Sequence, residues 1–264
     1  MELSVLTTQV VALCKEVGEF IRKESLVFDR NNIEYKGLND MVSYVDKTSE
    51  ELLVKGLSGF LPESGFITEE KTINRLAEDY NWIIDPLDGT TNFIHGIPAY
   101  CISIALQKGD ELVLGVVYEI NRDECFWAWK NGGAFLNGSL IKVSPAIKLS
   151  ETLLATGFPI SDFRKQEAYM KTLRDLMQVC HGLRRIGSAA LDLAYVACGR
   201  FDGYFEYNLN SWDVAAGMVL VKEAGGQVFD FSGGDQCISK REIVATNGKV
   251  SAEILEVIST YFKN

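Results

Sequence analysis

The stretch DPLDGTTNF, Asp85 to Phe93, places two carboxylates three residues apart in a segment that also contains proline and glycine. A short apolar run, Trp82 to Ile84, precedes it and predicts a strand that ends at Ile84 and delivers Asp85 to the end of the sheet. The proline fixes its own backbone angle and the glycine permits a tight turn, so both carboxylates and the Leu87 carbonyl can project to one side. Oxygen ligands of this kind suit Mg²⁺, although an isolated D-P-x-D-G is better explained as an acidic turn.

The residues that follow the second aspartate are suited to an anion. We expect Gly89, Thr90 and Thr91 to begin a helix or helical turn, whose unpaired N–H groups and positive dipole end attract a phosphate. A phosphate held there would place its other oxygens toward the proposed metal.

Two more acidic segments lie elsewhere in the chain. ITEE, Ile67 to Glu70, follows an apolar stretch, and WDVAAG, Trp212 to Gly217, is expected to begin a helix with Asp213 as its N-cap. The small residues behind Asp213 allow that helix to approach its neighbours closely. Asp46 is likewise expected to be the N-cap of an earlier helix. Alone, each segment is explained as a solvated surface or a helix cap.

The hydrophobic pattern changes near residue 150. Apolar residues at steps of three or four predict a first helix from Leu3 to Phe20, and AYCISIAL, ELVLGVVYEI, ECFWAWK and NGGAFLNG predict an antiparallel meander. Beyond it, short strands alternate with helices, which is typical of an α/β arrangement. Because no linker or repeat separates the halves, we expect one domain, 1–264, with two subdomains of about 1–148 and about 149–264.

Composition excludes several classes of protein. The 264 residues are 47% hydrophobic, enough for a full core, and the formal charge of −10 with dispersed basic residues argues against nucleic acid. The chain shows no membrane span or signal peptide, which predicts a cytoplasmic protein without a membrane partner. Six scattered cysteines and two histidines suggest reduced thiols instead of zinc or disulfides. Nucleophile-elbow, Walker and G-x-G-x-x-G motifs are absent from the sequence.

Taken together and in this order, TEE, DPLDGTTNF and NSWDVAAG resemble the metal-site segments of the inositol monophosphatase family. NGGAFLNG and RIGSAALDLAYVACGRFDGYFE resemble its mid-chain turn and its substrate-contacting stretch, so the resemblance covers nearly the whole chain. It implies a mixed α/β fold of α+β type, a layered αβαβα sandwich shared with fructose-1,6-bisphosphatase. It also implies a Mg²⁺-dependent phosphoric monoester hydrolase that is sensitive to lithium and forms a homodimer.

The resemblance further implies roles for individual residues. The metal ligands for two or three Mg²⁺ ions, with Mn²⁺ as a substitute, are Glu69, Asp85, the Leu87 carbonyl, Asp88 and Asp213. Glu69 and Thr90 orient and deprotonate the attacking water, and Asp46 supports Thr90. The substrate contacts are Gly89, Thr90, Gly187, Ser188, Ala189, Glu206 and Asp213. Lys36 falls where the family has an N-terminal lysine, and Glu70 is expected to support a looser third ion or nothing.

Alternatives remain open on sequence grounds. Thr90 to Phe93 reads TTNF, which favours an inositol monophosphate over adenosine 3′,5′-bisphosphate, but other small phosphorylated polyols, sugars and nucleotides, including fructose-1,6-bisphosphate, are retained. A different class, a regulatory or RNA-processing partner protein, is also retained. Gly187 to Ala189 is explained equally well by a helix start. For Arg184 and Arg185, a surface ion pair is preferred to a second phosphate or a dimer contact.

Overall fold

The computed structural model describes residues 2–29, 34–37, 40–73, 75–159 and 162–262, and for residues 34–37 and 40–42 it describes the backbone only. The described helices are α1 (Leu3–Ser25), α2 (Tyr44–Phe60), α3 (Thr90–His95), α4 (Gln166–Met177), α5 (Ala189–Ala197), α6 (Ser211–Glu223), α7 (Cys237–Lys240) and α8 (Ser251–Tyr261). The described strands are β1 (Glu34–Gly37), β2 (Asp40–Val42), β3 (Gly65–Thr68), β4 (Tyr80–Asp88), β5 (Cys101–Lys108), β6 (Glu111–Glu119), β7 (Glu124–Trp129), β8 (Gly133–Leu136), β9 (Ser139–Ile141), β10 (Leu153–Thr156), β11 (Gly182–Arg184), β12 (Gly203–Tyr207), β13 (Gln227–Phe229) and β14 (Glu242–Thr246).

Both aspartates expected as N-caps lie one turn further into their helices. Ser43 is the N-cap of α2, and Asp46, the third helical residue, accepts a hydrogen bond from the Ser43 backbone N–H at 2.9 Å. Asn210 precedes α6, and its N–H donates to Asp213 at 2.6 Å. The predicted N-caps are therefore wrong. Each aspartate satisfies the N–H of the true cap, as in a capping box.

The larger sheet has the order β3-β4-β5-β6-β7-β8-β9. β3 is parallel to β4, and every later pair is antiparallel, which confirms the predicted meander. The apolar stripe of α1 and one face of α2 cover one side of this sheet in a core cluster that includes Val10, Leu53, Trp82 and Ile104.

The smaller sheet has the order β11-β10-β12-β14-β13 and mixes parallel with antiparallel pairs. α5 and α6 lie between the two sheets. Their buried residues form one hydrophobic cluster with side chains of the larger and the smaller sheet. α4 and α8 cover the far side of the smaller sheet through a third cluster that includes Tyr169, Phe205 and Ile258. The layer order is therefore helix, sheet, helix, sheet, helix, and the expected αβαβα sandwich is confirmed.

Several other features bear on the expectations above. All six cysteines are free, and four of them are buried. Within the described ranges, no helix combines the length and the apolar character needed to cross a membrane. The division into two subdomains near residue 148 stays a prediction.

Candidate active site

β4 carries the residues Asp85 to Asp88 inside the sheet instead of ending before them. Asp85 pairs with Ser103 of β5, and Asp88 pairs with Cys101. Two residues on β4, Pro86 and Leu87, therefore lie opposite the single residue Ile102 on β5. In a regular strand, residues three apart point to opposite faces; the extra residue of this bulge brings both carboxylates to one side. The bulge also accommodates Pro86, which cannot donate to a regular ladder.

The loop after β3 brings Glu69 to the same place. The Glu69 N–H donates to the Ile84 carbonyl at 3.3 Å, directly before Asp85. Buried Glu50 of α2 holds the rest of the loop, because its carboxylate accepts from the N–H of Glu70 at 2.7 Å and from the N–H and hydroxyl of Thr72, both at 2.8 Å. Glu50 is thus a supporting residue that the sequence patterns did not reveal.

The start of α5 fixes Asp88 from the opposite side. The Ser188 hydroxyl donates to Oδ2 of Asp88 at 2.6 Å, and the Ala190 N–H donates to the same oxygen at 2.7 Å. Ser188 is also the N-cap of α5 and accepts from the Leu191 N–H at 3.3 Å. The predicted helix start is therefore confirmed, and the predicted contact of this segment with the substrate stays a prediction.

Four carboxylates from three distant segments meet in this region. Burial, and then the charges of Glu69, Asp88 and Asp213, raise the pKa of Asp85 well above its usual range. Burial raises the pKa of Asp88 to about 6 against the hydrogen bonds from Ser188 and Ala190. Burial and the charge of Asp88 raise the pKa of Asp213 to about 7. Such mutual repulsion in a shielded place favours binding of a cation.

The donor chemistry fits Mg²⁺. The four carboxylates and the buried Leu87 carbonyl offer oxygen only, which hard divalent cations prefer. In the described part of the chain, no three histidine, cysteine, aspartate or glutamate side chains already surround a common point at ligand spacing. The carboxylates that would ligate an ion instead accept local hydrogen bonds, such as that from the Leu87 N–H to Asp85 at 3.0 Å.

Thr90 stands at the start of α3, with Gly89 as the N-cap. Its hydroxyl lies 3.0 Å from Oδ1 of buried Asp46 and 3.0 Å from the Leu87 carbonyl. A hydroxyl has one proton, so it donates to one of these acceptors at a time and keeps lone pairs for another donor. The contact between Asp46 and Thr90 is the one that the resemblance implies, and the catalytic role of both residues stays a prediction.

Glu206 lies on β12 beside a second buried carboxylate. The Tyr204 hydroxyl donates to Glu206, and burial raises the pKa of Glu206 to about 8. Asp192 of α5 is buried, and one of its oxygens has no partner among the described residues. Burial and the charge of Glu206 raise the pKa of Asp192 well above its usual range. A neutral Glu206 both donates and accepts hydrogen bonds, as a polyol requires.

Three residues considered from the sequence fall outside this picture. Lys36 lies in β1, but its side chain is outside the described residues. Arg184 and Arg185 form no ion pair with any described residue; the Arg184 guanidinium donates to the Leu183 carbonyl at 3.0 Å, and Arg185 lies over the Phe158 ring. The predicted surface ion pair is therefore wrong for the described part of the chain.

Comparison with known proteins agrees with this geometry. The sequence model of the inositol monophosphatase family matches residues 2–262. An inositol-1-monophosphatase of Mesorhizobium japonicum is 38% identical over 98% of this chain and 97% of its own. The Nus factor SuhB of Escherichia coli K12 is 42% identical over 93% of this chain and 92% of its own. The crystal structure of the extragenic suppressor protein suhB of Bartonella henselae superposes with a TM-score of 0.91 at 38% identity, over 96% of this chain and 98% of that one.

Fold, motif order and relatives thus converge on one assignment. The layered sandwich and the resemblance stated from the sequence are both confirmed. The chain belongs to the inositol monophosphatase family and is a phosphoric monoester hydrolase.

Proposed function

We propose that this enzyme hydrolyses inositol monophosphate to inositol and phosphate with Mg²⁺ held by Glu69, Asp85, Asp88, Asp213 and the Leu87 carbonyl. The convergence of these oxygen donors from the loop after β3, from β4 and from α6 is the observation that carries the proposal. Bound Mg²⁺ would supply positive charge that neutralises the phosphoryl oxygens and makes the attacking water more acidic. We further predict that two or three ions bind, that Mn²⁺ substitutes for Mg²⁺ and that lithium inhibits the enzyme.

The residues of the chain then orient the reaction. The Thr90 hydroxyl donates its hydrogen bond to Asp46 and accepts a hydrogen bond from the attacking water. Glu69 takes the proton that the water loses. The water oxygen bonds to phosphorus, the ester P–O bond opposite breaks, and the leaving oxygen takes up one proton, returned from Glu69 through solvent water, to form the alcohol. Glu206 and the backbone at Gly187, Ser188 and Ala189 are proposed to bind the polyol. Gly89 is proposed to contact the phosphate.

A phosphate-release screen tests this proposal. Purified enzyme with Mg²⁺ is assayed on inositol monophosphates, fructose-1,6-bisphosphate, adenosine 3′,5′-bisphosphate and NADP. The expected result is release from inositol monophosphate that a chelator abolishes. Release from the adenosine compound alone would replace the proposed substrate, and no release from any of them would refute the proposal.

A second function is favoured by the relatives that are named Nus factor SuhB. We infer that the chain, in the cytoplasm, also binds a regulatory partner independently of catalysis. A pull-down with wild type and with Asp88→Asn distinguishes the two functions. Partners retained by the inactive variant support a separate binding role, and the absence of specific partners on either protein argues against it.

A homodimer is also proposed. Met170 and Met177 lie two turns apart on one face of α4 and are 52% and 61% exposed, with Val179 nearby at 47%. An exposed apolar row of this kind is typical of an association surface. Light scattering after size exclusion should give twice the mass of 29.4 kDa; a mass of one chain at micromolar concentration would contradict it.

A further inference from the structure

Arg185 is an exposed residue that bends back over the candidate site. A Cβ atom on Gly187 would lie 2.4 Å from Nη1 of Arg185 and 3.1 Å from Nδ2 of Asn92. The guanidinium therefore occupies the space that any side chain at residue 187 would need. Gly187 also has a φ of +92°, which L side chains rarely adopt, and this backbone angle favours glycine there, whereas the Arg185 guanidinium is the end of a flexible side chain that can move.

An aromatic ring holds the guanidinium from a second side. The central carbon of the Arg185 guanidinium lies 5.7 Å from the centre of the Phe158 ring, within the range of a cation–π interaction. The Phe158 ring in turn meets buried Tyr169 edge to face, with 6.4 Å between the ring centres. Phe158 is itself 46% exposed, so the stacked pair lies at the rim of the site instead of in the core.

The stacked pair connects the two ends of the candidate site. On one end, Phe158 follows Gly157, where a Cβ atom would lie 1.9 Å from a carboxylate oxygen of Glu206. On the other end, Arg185 lies three residues before Ser188, whose hydroxyl holds Asp88. The charge of Arg185 acts on both: it opposes the burial that raises the pKa of Asp88 and of Glu206.

We propose that Arg185 determines substrate specificity by binding a second anionic group, a phosphate or a carboxylate, on the part of the substrate that does not react. A guanidinium presents a planar fork of donors that matches such a group, and the exposed Arg185 side chain forms no ion pair with any described residue that would occupy those donors. Neutral polyols would use Glu206 and need Arg185 less. This inference rests on the proposed function and extends it to substrates with two anionic groups.

The test compares two substrates across matched variants. Phosphate release with Mg²⁺ is measured for myo-inositol 1-phosphate and fructose-1,6-bisphosphate in wild type, Arg185→Gln, Arg185→Lys and the control Arg184→Gln. The ratio of kcat/KM for the bisphosphate to that for the monophosphate should fall about ten-fold or more in Arg185→Gln, as for loss of a charge-assisted hydrogen-bond pair. The same ratio for Arg185→Lys should lie between those of wild type and Arg185→Gln, and the ratio for Arg184→Gln should stay within about two-fold of wild type.

Several results would overturn the role of Arg185. An unchanged ratio, an equal loss on both substrates, or the same change in Arg184→Gln would each do so. A changed molecular mass of Arg185→Gln in solution would assign the residue to a subunit interface instead. If wild type hydrolyses neither compound, the proposed function fails. The role of Arg185 is then tested by calorimetric binding of fructose-1,6-bisphosphate, for which we expect about ten-fold weaker binding in Arg185→Gln than in wild type. Equal or undetectable binding would refute the inference.

Discussion

Asp88 shows how one carboxylate serves both packing and chemistry. Its Oδ2 accepts from the Ser188 hydroxyl and the Ala190 N–H, which ties β4 to the start of α5. The same carboxylate lies among Asp85 and Asp213, whose pKa values its charge raises. Its negative charge is thus unfavourable in the protein alone and becomes favourable with a cation.

Asp88→Asn should therefore abolish turnover while the fold survives. We expect activity to fall about 10³-fold or more, because a carboxylate ligand is lost. Mg²⁺ should raise the melting temperature of wild type through binding to the folded state and should raise that of the variant less. Asp110→Asn, in an exposed turn, is the control for both measurements. Near wild-type turnover in Asp88→Asn would contradict the assignment.

Asp230 provides a pH-dependent prediction away from the site. Burial alone would raise its pKa, but hydrogen bonds from Ser232 and Gly234 and the ion pair with Lys240 at 2.9 Å outweigh it and hold the pKa below its usual range. A carboxylate whose pKa is lowered in the folded state stabilises the protein fully at pH values above its pKa in the unfolded chain, near 3.9. This stabilisation is lost as the pH falls toward the pKa of the folded state.

Asp230→Asn should accordingly lower the free energy of unfolding by about 1–3 kcal/mol at pH 7 and by less at pH 3. Urea unfolding at pH 7, 5 and 3 measures the difference, with Asp235→Asn, an exposed aspartate of the same loop, as control. The difference should be equal at pH 7 and 5 and smaller at pH 3. A difference that grows toward pH 3 would show that the sign is wrong.

Single residues differed in how well the sequence predicted them. Asp85, Asp88 and Glu69 were identified because the motif that carries each is continuous in the chain. Glu50 escaped because its hydrogen-bond partners lie 20 and 22 residues away in a loop without a pattern. The caps Ser43 and Asn210 were missed although the spacing S-x-x-D and N-x-x-D was available as a signal.

Among the elements, the loop between β3 and β4 depends on α2 for its shape. Three hydrogen bonds reach the Glu50 carboxylate from Glu70 and Thr72, so this side chain sets the position of neighbouring Glu69. Strand β4 likewise depends on its bulge. The strand was predicted to end at Ile84 because the apolar run stops there, and only pairing with β5 shows that it continues to Asp88.

Glu50→Ala should loosen that loop. Two N–H groups lose their acceptor, so the free energy of unfolding should fall by about 1–3 kcal/mol, and kcat should fall about ten-fold as Glu69 loses its position. Glu51→Ala, exposed on the next residue of α2, is the matched control and should change neither. Full activity of Glu50→Ala at a temperature where it is folded would refute the positioning role.

Over the whole molecule, close packing between the middle helices keeps the two sheets together. A Cβ atom on Gly217 of α6 would lie 2.4 Å from Cβ of Leu193 on α5. The small residues after Asp213 were expected to permit such an approach. The layer order was predictable only through the resemblance, because periodicity identifies helices and strands but not which sheet each helix covers.

Gly217→Ala should destabilise the protein by about 1–3 kcal/mol in spite of the better helix propensity of alanine, since the α5–α6 contact is already full. Gly59→Ala is the matched control, because a Cβ atom there would meet nothing within 4 Å. In that variant, propensity alone should stabilise the protein by about 0.5–1 kcal/mol. Thermal unfolding of both variants measures the contrast, and equal shifts would contradict the packing argument.

The central claim is that carboxylates from the loop after β3, from β4 and from α6 bind divalent cations together. Anomalous diffraction from a crystal soaked in Mn²⁺ measures this directly. We predict a peak at about 2.0–2.3 Å from the Asp85 carboxylate and from at least one carboxylate of Glu69, Asp88 or Asp213. A fully soaked crystal with no peak touching Asp85 would contradict the claim.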